Sequence, residues 1–263
     1  MSKKHFVTFC NKKYMSPNRI IEQAKSFNIF DEIKSLNEFD IKDYYKKHIR
    51  FIASNPIGFG LWIWKPKVIY DTLSQIDEND IMVYCDAGFH LNINGLERLK
   101  EYFIELQDDK CILTFGTSEI YHAREYVKMD AIMNYYPEMK DKLDISCYAG
   151  LMIIKKNVKS MQVIKEWVEL CENYNYIDRN RSIYHNEAPF FQGNDCDNGL
   201  FNMCIAKHKK IVKKILPDET NLYIEKRQIQ HCPDYANKIN NLDWTSLDNY
   251  PFHCRRMTPK FGC

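Results

Sequence analysis

No segment of this chain reaches the ~18 consecutive apolar residues that a membrane-spanning helix needs, and none of its ten cysteines falls in a Cys-x-x-Cys pair. The first absence excludes a transmembrane helix. The second argues against a zinc ribbon or a thiol redox motif. The Gly-rich phosphate loop of the G-x-x-x-x-G-K-[ST] type is also missing, which disfavours a phosphoryl- or nucleotidyl-transfer enzyme built on that loop. Lysine and arginine number 37 against 35 acids, a formal charge of +2, so the basic excess expected of a nucleic-acid binder is not there. Internal repeats, Gly/Ser linkers and low-complexity tracts are lacking as well. The Met1–His5 stretch leads into a strand too short for a signal-peptide core.

What is present suits one sizeable core. A domain of 263 residues buries roughly three quarters of its unfolded surface and needs no staple. Aromatics reach 14%, with 17 tyrosines and 15 phenylalanines; such rings fill a core and also stack on bases or sugars. The cysteines are scattered, and Cys85, Cys111 and Cys147 sit in apolar runs where the side chain acts as a small hydrophobe. We therefore expect a reduced, cytoplasmic protein whose thiols are mostly free.

The chain alternates strand-like and helical patterns. Strands are expected over residues 5–10, 30–36, 81–84, 111–115, 145–154 and 211–216. Helices are expected over 17–27, 64–76, 96–106, 130–139, 158–171 and 199–207. The helix from 158 is the clearest, with Met161, Ile164, Trp167, Val168 and Cys171 at helical spacing. Alternation of this kind predicts an α/β fold with parallel strand pairs, whose ligands bind beyond the strand carboxyl ends.

Four segments carry candidate chemistry. Asp86 ends the run from Asp80 to Gly88, where an acid emerges at the sheet rim and can hold a hard cation through oxygen; alone, it also reads as an acid in a strand-terminal turn. Gly88 allows close backbone approach. Gly58, Gly60, Trp62, Trp64 and Lys65 crowd nine residues before a helix start, where an anionic ligand is favoured, although a tryptophan there can equally plug the core. Asp195 and Asp197 precede a helix, where both can read as N-caps only; one acid explains the cap, and the other can act on an acceptor hydroxyl or position a sugar. His253, Arg255 and Arg256 suit metal and phosphate, or a solvated surface.

In order, GFGLWIWKP, DIMVYCDAG, ISCYAGLMIIKKN, NDCDNGLFNMC, ILPDETNLY and YPFHCRR resemble segments of glycosyltransferases from bacterial polysaccharide loci and large DNA viruses, over about residues 5–257. More distantly, the layout is similar to retaining galactosyl- and glucosyltransferases of the GT-A fold. The resemblance implies a single domain built on a Rossmann-like, mostly parallel mixed sheet. Residues up to about 115 would form a nucleotide-binding half, with an acceptor half following from about 116. It matches Asp86 to the first acid of a metal motif and His253 to a late metal-binding histidine, with manganese or magnesium as cofactor. Asp197 matches a catalytic-region acid, with Asp195 as its alternative. Lys128 and Asp130 match a Lys-x-Asp pair, and Gly58, Gly60, Trp64, Lys65, Gly88 and Arg255 fall to nucleotide-sugar binding. Two departures stand out: Gly88 replaces the second metal-motif acid, and Cys196 replaces a histidine.

The implied activity is transfer of a sugar from a UDP- or GDP-sugar to a glycan, free or carried on protein or lipid, with divalent-metal assistance. An inactive nucleotide-sugar-binding module is the rival reading.

Overall fold

A computed structural model describes residues 2–11, 16–117, 122–140, 143, 147–215, 219–220 and 248–254. In chain order the elements are β1 (Lys4–Phe9), α1 (Asn18–Ser26), β2 (Glu32–Leu36), α2 (Lys42–Ser54), the single turn α3 (Gly58–Leu61), α4 (Trp64–Gln75) and β3 (Ile81–Cys85). There follow β4 (His90–Leu91), α5 (Leu96–Glu105), β5 (Ile112–Gly116), α6 (Met129–Tyr135), β6 (Cys147–Lys155), α7 (Val158–Glu172) and the one-turn α8 (Tyr174–Ile177). The described chain ends with α9 (Cys196–Lys207), β7 (Val212–Ile215) and β8 (Phe252–His253).

Six strands form a sheet in the order β2-β1-β3-β6-β5-β7. The β1–β2, β1–β3 and β5–β7 pairs are parallel, and β6 runs antiparallel to both its neighbours. The fold is therefore α/β with a mixed, mostly parallel sheet. Strand β3 is buried along its whole length, as a central strand covered on both faces must be. Alternate side chains feed two cores. Val7, Met82, Tyr84, Met152 and Ile154 pack with Trp167 and the residues of α4 and α9. Phe6, Val83, Cys85, Leu151 and Ile153 pack with α1, α5 and Phe252. Lysines Lys213 and Lys214 populate the edge strand β7, a charge pattern that discourages edge-to-edge pairing.

Two sequence expectations shift. Helix α2 has no counterpart in the sequence reading, although Tyr44, His48 and Ile52 form its buried stripe. Helix α9 starts three residues earlier than its pattern suggests, at Cys196, so Asp197 lies within its first turn rather than ahead of it. The eight described cysteines, Cys10, Cys85, Cys111, Cys147, Cys171, Cys196, Cys204 and Cys254, are all free thiols.

The register between β5 and β6 slips: Thr114 faces Met152, but Phe115 faces Tyr148. Residues 149–151 thus bulge away from β5, and α9 bonds the backbone at Ala149 and at nearby Cys147. Asn198 Oδ1 accepts from the Ala149 amide at 2.7 Å. Asn202 accepts from the Cys147 amide at 2.7 Å and donates to the Cys147 carbonyl at 2.9 Å. Those backbone groups are buried, and orphaning each costs ~1–3 kcal/mol. Asn202→Ala is accordingly expected to lower stability by about 2–4 kcal/mol in urea unfolding, with the slope of the transition unchanged.

Candidate active site

Strand β1 pairs with β2 on one side and β3 on the other, which makes the crevice beyond the carboxyl ends of β1 and β3 a topological switch point. Asp86, directly after β3, stands at its mouth. The Asp86 amide donates to the Gly150 carbonyl at 2.8 Å, and its carbonyl accepts from the Phe89 amide at 3.0 Å. From α1, Arg19 clamps the same turn, donating to the carbonyls of Phe89 at 2.7 Å and Ala87 at 2.8 Å. A side chain at Gly150 would overlap Asp86 Oδ2 and the Tyr148 ring, so the carboxylate's seat requires glycine there. The Gly88 Cα instead faces open space.

The carboxylate of Asp86 is largely engaged. Its Oδ1 accepts from the Tyr84 hydroxyl at 3.0 Å and lies 3.4 Å from Lys65 Nζ. Its Oδ2 accepts from the Tyr148 hydroxyl at 3.2 Å. Lys65 Nζ also lies 3.2 Å from Asp197 Oδ2. The side chains of Lys65 and Asp197 are only 5% and 4% exposed, against 19% for Asp86. One ammonium therefore sits between two carboxylates from separate elements, in a largely dry pocket.

That charge pattern sets the protonation states. Burial pushes the Asp197 carboxyl up; Lys65 pulls it down, but Asp195 and Asp86 add like charge, and the result is about 7. Burial opposes the Lys65 charge too, yet Asp197 and Asp86 outweigh it and raise the lysine pKa. The ammonium stays charged, and the first proton taken up by the pair goes to Asp197.

An unusual backbone delivers Lys65. Gly58, Phe59, Gly60, Leu61 and Trp62 all have φ between 55° and 87°, a left-handed turn closed by the Trp62 amide on the Gly58 carbonyl at 3.1 Å. For the three non-glycine residues this costs on the order of 1–2 kcal/mol each, a sizeable share of an ordinary domain's net stability of ~5–15 kcal/mol. Trp64 then turns into the core, stacked on Phe9 at 3.9 Å, with its indole N–H on the Gly58 carbonyl at 3.0 Å. Trp62 stays half-buried, its ring centre 5.9 Å from Lys65 Nζ.

The other sequence candidates divide. Asp195 occupies the N-cap position of α9, half-buried, and accepts from Asn198 Nδ2 at 2.8 Å. Lys128, wholly buried, donates to Asp178 at 2.8 Å. Asp130 accepts from the amides of Ile183, Tyr184 and His185 and contacts His185 Nδ1 at 2.9 Å. Burial alone would raise the Asp130 pKa; those hydrogen bonds lower it below the usual carboxylate value. The Lys128–Asp130 pair thus clips down the 178–187 loop. His253 pairs with His90 across the β4–β8 ribbon and contacts the Tyr250 carbonyl at 3.2 Å. Arg255 lies outside the described residues. Sequence reading missed Arg19, Tyr148 and Gly150, which only the fold brings to Asp86 and its turn, and Tyr84, which its i−2 position on the same strand face could have signalled.

Among the described residues, the donor set around Asp86 does not fit a divalent ion held by protein groups alone. Among the described residues no three His, Cys, Asp or Glu side chains gather, and Gly88 supplies no carboxylate. Asp86 already accepts from two tyrosine hydroxyls and lies beside the Lys65 ammonium, which leaves one lone pair, on Oδ2. The cation that the described residues place beside Asp86 is Lys65 Nζ, 3.4 Å from its Oδ1.

The sequence matches no protein family and no curated protein. Among solved structures, the chain is similar to a glycosyltransferase involved in glycosylation of the major capsid of PBCV-1, at 11% identity and TM-score 0.47, over 95% of this chain and 91% of that one. It is also similar to mouse xyloside xylosyltransferase 1, at 10% identity and TM-score 0.47, over 96% of each chain. A third is glucosyl-3-phosphoglycerate synthase from Mycobacterium tuberculosis in complex with UDP, at 10% identity and TM-score 0.41, over 82% of this chain and 70% of that one.

Two outcomes follow from the geometry. Gly60 has φ +87°, and a Cβ there would lie 2.6 Å from Ile52 Cγ1; Gly60→Ala is expected to cost about 2–5 kcal/mol in urea unfolding, from strain plus overpacking. The folded protein also holds a proton on Asp197 up to about pH 7, whereas an unfolded chain releases it near pH ~4. The stability from this group is full below pH ~4 and is lost as pH rises through about 7. Wild type should therefore lose stability relative to Asp197→Asn across that window, read from urea midpoints at successive pH values.

Proposed function

We propose that this protein is a glycosyltransferase that moves a sugar from a UDP- or GDP-sugar to a hydroxyl of a glycan, free or attached to protein or lipid. The observation that carries the reading is convergence. Lys65 of the Trp-Lys-Pro segment, Asp86 of Asp-Ala-Gly, Gly150 of the Ala-Gly strand and Asp197 of the Asn-Asp-Cys-Asp segment are far apart in sequence. All four meet at one switch-point crevice.

The donor would lie across the carboxyl ends of β1 and β3, in the half formed by residues up to about 115, with the acceptor approaching from the half that follows. Trp62 offers a half-buried ring beside the ammonium for a base or sugar face. The remaining Asp86 Oδ2 lone pair suits a ribose or sugar hydroxyl. A base must come within hydrogen-bond reach of the proton it takes. With 4% of its side chain exposed, Asp197 acts mainly by holding Lys65 and the entry of α9. Half-buried Asp195, two residues away, is the carboxylate better placed to contact the acceptor hydroxyl or the transferring sugar.

A panel of UDP- and GDP-sugars assayed for transfer and hydrolysis tests this directly. Asp86→Ala and Asp195→Asn are expected to lower turnover at least ~10²-fold while melting cooperatively. Near-wild-type turnover in either variant sinks its assignment. Binding of a nucleotide sugar with neither transfer nor hydrolysis would favour the binding-module reading.

A further inference from the structure

We propose that Lys65 is the resident cation of this site, and that donor binding needs no divalent metal. The inference rests on the donor-site reading above. In a metal-bridged site a dication sits between carboxylates and the donor's diphosphate and offsets both charges. Here the place between the two nearest carboxylates is taken by Nζ, 3.4 Å from Asp86 and 3.2 Å from Asp197.

Three further observations support a built-in cation over a chance ion pair. The Asp86 seat is completed by two tyrosine hydroxyls, Tyr84 and Tyr148, which donate to the carboxylate as a hydration shell would and leave one lone pair uncommitted. Asp197 Oδ2 is buried and accepts no hydrogen bond, so the ammonium is its charge partner without saturating it. Most tellingly, the five-residue left-handed run ends three residues before Lys65, and backbone strain of that kind persists where the surroundings over-determine it. The position of Lys65 is fixed by the fold, as the position of a bound metal would be fixed by its ligands. An ammonium has three N–H donors; in ion-pair contact with the two carboxylates at 3.4 and 3.2 Å, it keeps donor capacity for an anionic oxygen of the donor.

Manganese binding provides a readout independent of turnover. The free Mn2+ electron paramagnetic resonance signal is titrated with wild type, Asp86→Asn, Lys65→Ala and the double variant. Wild type and Asp86→Asn should bind Mn2+ alike. Lys65→Ala should gain a site at least about tenfold tighter, since two carboxylates lose their cation, and adding Asp86→Asn should remove it. In parallel, calorimetric binding of UDP- and GDP-sugars to wild type should be the same within about twofold in EDTA and in Mn2+. The proposal is overturned if wild type holds one Mn2+ that Asp86→Asn abolishes, or if chelator abolishes donor binding. Should Lys65→Ala fail to fold, the wild-type comparison with Asp86→Asn and the chelator arm still decide. Should no nucleotide sugar bind under either condition, the donor reading fails, while the manganese titration still reports on Lys65.

Discussion

The ammonium of Lys65 is the contact on which the arrangement of this site depends. Two aspartates from different elements converge at the carboxyl end of a buried strand, where burial and the like charge of its neighbours push Asp197 toward protonation. One lysine, almost wholly removed from water, offsets both. Removing the lysine from such a cluster leaves its carboxylates uncompensated, a loss of about 3–5 kcal/mol, whereas removing one aspartate leaves the ammonium paired with the other.

Much of the surrounding architecture reads as support for that cluster. The left-handed turn brings Lys65 in at the start of α4, with Trp64 as its anchor against Phe9. The register slip parts β6 from β5 at Gly150, while on its other edge the Gly150 carbonyl continues the β3–β6 ladder by accepting from the Asp86 amide. Asn198 and Asn202 fill the gap from α9 and thereby fix the helix turn that carries Asp197. Arg19 holds the turn after Asp86 from the opposite face of the sheet. Each device departs from regular secondary structure, and each departure lies within reach of the same crevice.

Much of the fold was legible in the sequence. Strand and helix periodicities placed β1, β3, β5, α4, α5 and α7 within a few residues, because apolar spacing follows directly from which faces are buried. Helix α2 escaped because its stripe of Tyr44, His48 and Ile52 is short and partly polar. The site was legible as a set of segments rather than as geometry. Lys65 read as a cation for an anionic ligand, whereas in the fold its charge is spent first on Asp86 and Asp197. Lys128 and Asp130 read as nucleotide contacts, whereas their side chains tie down the 178–187 loop.

Asp86 at the end of a buried strand, the Gly/Trp-rich approach to Lys65 and the acid-rich start of α9 are fixed by chain order alone, since local spacing decides which residues close a strand or open a helix. Which carboxylate is dry, which is open and which cation stands between them was decided only by tertiary structure. Charges separated by 21 residues, as Lys65 and Asp86 are, and by 111, as Asp86 and Asp197 are, interact through distance and desolvation. Those two quantities exist only once β3, α4 and α9 have packed around the same crevice.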